Sequence, residues 1–348
     1  MIQTINTTQR RLLAEWEQHA AVLLAWPHAD TDWAYMLDEV AECYASIIEA
    51  ITESNRVILI APETEIPQNR LRHIDPRKLI IIKAPTNDTW TRDYGPITVE
   101  VDGKPRVCDF QFNGWGLKFA ACYDNRVTAH LCDTGIISAP RENKLDFVLE
   151  GGSIETDGNG TLLTTSKCLL APNRNNTLSR HEIEQRLIQD FGLNHILWLD
   201  SGALAGDDTD SHIDTLARLA PNDTIIYTGC QDVNDEHYSE LQSMAGEIQK
   251  FLTPSGQKYN LIELPLPDPI LDEDGQRLPA TYANYLINNS SIIMPVYNQP
   301  QKDLLASQML KIAFPEHKIL TVNCLPLIKQ HGSLHCATMQ LYHDTISL

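Results

Sequence analysis

Strand-like and helix-like patterns alternate along this chain, which predicts an α/β fold. Two observations carry that reading. Short apolar runs of four or five residues recur from residue 57 to residue 322, and stretches of helical period fall between them. A third observation narrows it. Neither GxGxxG nor GxxxxGK[ST] occurs, so nothing implies a nucleotide cofactor.

Residues 36–52 place Met36, Leu37, Val40, Ala41, Tyr44, Ile47, Ile48 and Ile51 on one face, which predicts a helix. Residues 57–60 and 79–82 read as buried strands, the second followed by a polar stretch ending in Asn87 and Asp88. Residues 162–165 predict a further strand. Ser179 and Glu182 then form a capping box, Ile183, Leu187, Ile188 and Phe191 a stripe, and Gly192 a stop, which together delimit a helix. Strands are expected at 196–199, 224–227, 261–264, 292–296 and 319–322, and helices at 239–252 and 304–313. Pro and Asp crowd 265–279, the composition of a surface loop. No strict repeat or low-complexity segment occurs, although the recurring strand–helix modules are compatible with a degenerate repeat.

At 348 residues a folded chain buries roughly 75% of the surface its unfolded form exposes. The apolar fraction of 43% against 21% charged is that of a globular protein. Its 27 basic and 46 acidic side chains leave a net charge of −19. Such a surface repels nucleic acid and anionic membrane and attracts small cations. The eight cysteines are scattered with no CxxC pair, so they read as thiols in reducing cytoplasm, most of them core filler. The apolar run 20–26 is too short for an export leader and lacks a basic flank. Nothing approaches the roughly 20 apolar residues of a membrane span.

Four polar islands follow strand-like runs, where α/β folds place their sites: 90–96, 150–153, 207–214 and 331–336. Cys336 offers a nucleophilic sulfur. A thiol of pKa near 8.5 is only about 3% thiolate at pH 7, so activating it costs about 2 kcal/mol, which a docked cation or a protonated His212 would supply. His212 is the candidate general base, and Asp208, Asp210 and Asp214 crowd it closely enough to call for a cation. Taken singly, each feature has an ordinary structural reading. A lone cysteine is inert core, Glu150-Gly-Gly a tight turn, Arg92-Asp93 a surface ion pair, and Trp90 and Trp115 packing aromatics. His331 and His335 are spaced as in HExxH, but the Glu is missing and Gly332 and Ser333 argue against the helix. No metal site is therefore expected.

With those islands quoted, the chain resembles the agmatine deiminases of the pentein, or guanidino-group-modifying, superfamily. The likeness runs through Trp26-Pro27-His28, 90–96, Phe112-Asn113-Gly114-Trp115-Gly116, 149–154, 206–214 and 332–336. It implies one pentein catalytic domain over 1–348, folded as a five-bladed α/β propeller with pseudo-fivefold symmetry and a central site. It implies Cys336 as nucleophile, His212 as acid/base and Glu150 as its orienting carboxylate. Asp93 and Asp214 would grip a guanidinium, Asp208 would supply a nearby polar contact, and Trp90 and Trp115 would wall an alkyl chain. The implied substrate is agmatine, with no metal or organic cofactor and a homo-oligomer as the plausible assembly. Where those enzymes usually read Gly-Gly-Asn-Ile-His-Cys and Gly-His, this chain has His331-Gly-Ser-Leu-His-Cys336 and Ser211-His212, which bears on pocket shape.

Three alternatives stay open from sequence. Deimination of free or peptidyl arginine would call for a basic residue at the far end of the pocket, where only Arg92 is a conspicuous cation. A metal-dependent hydrolase would use Asp208, Asp210, His212 and His331. A silent binding protein on the same fold would leave Cys336 unreactive.

Overall fold

In the computed structural model, which describes residues 9–347, strands and helices alternate in a mixed α/β fold. The strands fall into five separate sheets of three or four strands. One topology recurs in all of them: an antiparallel pair followed by a parallel pair. A parallel partner requires a crossover. Helices Leu37–Thr52, Val127–Asp133, Arg180–Phe191, Tyr238–Ile248 and Pro300–Ala313 each make one. The degenerate repeat is therefore a β-β-α-β unit.

The apolar runs read from sequence correspond to the strands joined by these crossovers, among them Val57–Ala61, Thr161–Thr165, His195–Leu199, Thr224–Gly229, Ser291–Val296 and Lys318–Asn323. The capping box is present as read: Ser179 Oγ accepts from Glu182 N, and Glu182 returns a bond to Ser179 N. Gly192 closes that helix in the left-handed region (φ 68°). The helix expected over 239–252 stops at Ile248. There Lys250 N and Phe251 N bond three residues back and tighten the last turn, and Leu252 pairs with Lys258 instead. The helix expected from 304 begins at Pro300, which suits a first turn because it lacks the N–H that would go unpaired there.

Sequence patterns passed over the first strand of every unit: Ile97–Val101, Ile154–Thr156, Ala217–Ala220, Leu286–Asn288 and Met339–Tyr342. These are short and mostly buried on both faces, so they show no alternation. The polar islands do follow strands, 150–153 just after Arg141–Val148, and each also leads into one of these first strands. Asp93, Glu150, Asp214, Asn284 and Cys336 each stand two to four residues before one of these first strands. Five equivalent turns, one from each unit, supply the side chains described next.

Candidate active site

Cys336 sits just before Met339–Tyr342, and its backbone carbonyl accepts from Arg92 N (3.2 Å). Thr91 Oγ1 bonds Ala337 O (3.0 Å), so the turn carrying Asp93 is laced to the turn carrying the thiol. Asn284 fixes the sulfur's surroundings. Its Oδ1 accepts from the backbone N–H groups of His335 (2.9 Å) and Cys336 (3.2 Å). That forces its amide nitrogen toward Cys336 Sγ (3.2 Å) and Asp214 Oδ2 (3.3 Å). Asp214 Oδ2 is 3.6 Å from the sulfur. Burial, followed by the charges of Asp214 and Asp93, pushes the Cys336 thiol well above its usual range.

His212 lies between two carboxylates, with Nδ1 3.6 Å from Asp93 Oδ1 and Nε2 3.5 Å from Glu150 Oε2. Burial disfavours its charged form, but Asp93, then Cys168 and Glu150, outweigh this and raise its pKa well above the ordinary value. Glu150 is fully buried, which alone would raise its pKa. The contacts from His212 and Arg174 reverse that and hold it below the usual value. Arg174 Nε reaches both Glu150 oxygens at 3.0 and 2.7 Å. Asp93 accepts from Trp115 Nε1 and Gly152 N, each at 2.9 Å, yet burial lifts its pKa to about 6. Gly152 is required by closeness. A Cβ there would stand 2.7 Å from His212 Nδ1, 2.8 Å from Asp93 Oδ1 and 3.2 Å from Asp214 Oδ2.

In front of the sulfur opens a narrow pocket. Cys336, Asp93, Trp90, Trp115 and Phe119 line it, together with three further carboxylate residues, Asp32, Asp88 and Asp208. Trp90 lies flat against Gly332, where a Cβ would come within 2.4 Å of the ring. Burial raises Asp88 to about 7 and also raises Asp208. The pocket is therefore short of positive charge, and His331 at its rim is its sole basic lining residue.

The structure thus brings Cys336, Asp93, Asp214, His212 and Glu150 together, with Trp90, Trp115 and Asp208 on the pocket wall. Some residues fall elsewhere. Arg92 is buried against Glu15 (2.9 Å) and Gln340, away from any substrate end. His335 packs between Asp214 (2.7 Å) and Glu15 (2.8 Å). Asp210 pairs with Lys118 and Arg174. The set Asp208, Asp210, His212 and His331 forms no metal-ligand cluster among the described residues. Glu150, Cys168 and His212 do converge. Arg174, however, already places a positive charge on Glu150 where an ion would have to sit. Sequence reasoning missed Asn284, Arg174 and Glu15. None lies in a polar island, although Arg174 stands within an unusual Asn173-Arg174-Asn175-Asn176 run.

The sequence profile of the Porphyromonas-type peptidyl-arginine deiminases matches residues 11–341. A Marinomonas protein provisionally named agmatine deiminase is 32% identical, the match covering 98% of each chain. A solved Porphyromonas gingivalis structure, provisionally named arginine deiminase, is 46% identical with a TM-score of 0.92, covering 97% of this chain and 100% of that one. The structure of a cysteine-to-serine variant of Campylobacter jejuni agmatine deiminase with substrate bound is 37% identical with a TM-score of 0.91, covering 97% and 98%.

Proposed function

The chain belongs to the Porphyromonas-type peptidyl-arginine deiminase family, and we propose on that footing that it hydrolyses agmatine to N-carbamoylputrescine and ammonia. One observation carries the reading. Asp214 Oδ1 is a buried carboxylate oxygen without a hydrogen-bond partner among the described residues, while Oδ2 of the same group is held by His335 (2.7 Å) and lies 3.6 Å from the Cys336 sulfur. A buried anion left in that state is costly. A planar cation with N–H donors satisfies Asp214 and Asp93 together and sets its central carbon over the sulfur.

Docking that cation also offsets the two carboxylate charges that oppose thiolate formation, so the thiol proton is released to solvent as the substrate binds while His212 keeps its own. Cys336 then adds to the guanidinium carbon. His212, raised in pKa and held beside Glu150, gives its proton to the departing nitrogen, the C–N bond breaks and ammonia leaves. The S-alkylthiouronium is attacked by water, whose proton His212 takes. Collapse expels the Cys336 thiolate and releases the ureido product. No metal or organic cofactor enters the scheme, because the substrate carries its own charge.

The lining of the pocket favours agmatine over arginine, because Asp32, Asp88 and Asp208 offer carboxylates to a terminal ammonium, whereas an α-carboxylate would find only His331 as a basic lining residue among the described residues. The family name and the Porphyromonas relative make arginine the competing substrate. Measuring kcat/KM for both compounds decides between them, and a preference for arginine removes the agmatine reading. Cys336→Ala is expected to bind agmatine and release no ammonia; sustained turnover would exclude the nucleophile. We also propose that the five β-β-α-β units are the blades of one propeller domain, supported by their shared topology and by the five equivalent turns that reach the site.

A further inference from the structure

We propose that Asp210 is a positioning residue that ties the pocket-lip loop 113–119 to the alignment of His212. This rests on the reading of His212 as acid/base. The loop reaches the site at two points. Trp115 donates to Asp93 (2.9 Å), and Lys118 reaches Asp210 Oδ1 (2.9 Å) and the backbone oxygen of Asp208 (2.5 Å). The other oxygen of Asp210 accepts from Arg174 Nη1 (2.6 Å). Arg174 is almost wholly buried, spans both oxygens of Glu150 through Nε and donates from Nη2 to Thr209 O (2.9 Å). Glu150 in turn is the neighbour of His212 Nε2. An unbroken run of charged contacts, Lys118–Asp210–Arg174–Glu150–His212, therefore joins the lip to the proton donor.

Two features set Asp210 apart from an ordinary surface carboxylate. It and Ser211 both hold left-handed backbone (φ 66° each), a conformation L-residues rarely adopt, and the chain goes straight on into His212. Its two oxygens also serve different elements, one an exposed-edge lysine on the loop and the other a buried arginine. A substrate chain lying along Trp115 and Phe119 presses on the same loop that carries Lys118. Contact of the substrate with that loop is thereby coupled through Asp210 to Glu150 and His212.

The test uses the intact chain with agmatine, and compares wild type, Asp210→Ala, Lys118→Met, the double variant and the conservative Asp210→Glu. The expected result for Asp210→Ala is a fall of about 10- to 100-fold in kcat, as for a misplaced catalytic group. The rate of Cys336 alkylation by iodoacetamide, and its protection by agmatine, should stay at wild-type values. Lys118→Met should cost less, and adding it to Asp210→Ala should cost nothing more, because both break one connection. Asp210→Glu should restore part of the loss. Alkylation and protection that decline in step with kcat would mark local collapse and overturn the proposal, as would multiplicative effects in the double variant. A wild-type protein that releases no ammonia from agmatine would instead refute the substrate reading, and the coupling with it.

Discussion

Asp93 and Asp88 carry the sharpest consequences at the scale of single residues. Both are buried carboxyls raised by desolvation, to about 6 and about 7. Each binds a cation only when ionised, so kcat/KM for agmatine is expected to fall as pH drops through that range. A bound cation lowers both values, so the acid limb of kcat should lie at lower pH than that of kcat/KM. Coincident limbs would mean that neither group meets the substrate. Asp93→Ala strands the guanidinium with one carboxylate fewer and is expected to cost about 2–5 kcal/mol in kcat/KM, by analogy with buried charge pairs. A variant within about threefold of wild type, under 1 kcal/mol, would remove Asp93 from the site. Sequence exposed Asp93, His212, Asp214 and Cys336 because each stands in a polar island. It could not expose Asn284, whose role depends on two backbone N–H groups some fifty residues away, or Arg174, whose partner Glu150 lies 24 positions earlier across two strands.

Among the elements, four of the five crossover helices and most crossover strands were legible because their burial follows one face or forms a long apolar run, whereas the helix Val127–Asp133 and the strands His19–Ala25, Lys104–Gln111 and Arg141–Val148 were not read. The capping box of Arg180–Phe191 is the cleanest case. Ser179→Ala is expected to destabilise the protein by about 1 kcal/mol while leaving kcat/KM unchanged, as read by denaturant midpoint and steady-state assay. The five first strands were not legible. Leu286–Asn288 is three residues long and wholly buried, and Ala217–Ala220 includes a fully buried Arg218 held by Glu15 and Glu155. A buried arginine breaks any apolar pattern, and only its ion-pair partners explain it. Because the site turns lie between the last strand of one unit and the first strand of the next, only their upstream anchors were visible to periodicity.

Across the whole molecule, acidity is concentrated where folding buries it. Asp124 is raised to about 8 and Glu155 to about 8, both chiefly by burial, and Asp88 to about 7. A carboxyl whose folded pKa exceeds its unfolded value holds a proton that the unfolded chain has already released. Its contribution is complete at low pH and is lost as pH rises through the folded value. Buried His19, lowered to about 4, acts in the opposite sense, but only below about 6.5 where the unfolded histidine titrates. Between pH 6.5 and 8.5 the signs agree. Thermal stability is therefore expected to decline over that interval, as calorimetry at constant ionic strength would show. A flat or rising Tm there would mean that these carboxyls are already ionised in the folded protein.

The α/β class, four of the five crossover helices, the net charge of −19 and the polar islands that supply the candidate site were legible in the order of residues alone, because local periodicity, capping chemistry and titratable groups are properties of short segments. What only the tertiary structure decided is which groups meet. Cys336 and Asp214 are 122 positions apart and touch because two equivalent turns come from different sheets. The same placement turned Arg92 away from the pocket, recruited Arg174 to Glu150 and left one Asp214 oxygen without a partner. No spacing along the chain encodes those contacts. They follow from how five separately hydrogen-bonded sheets pack against one another.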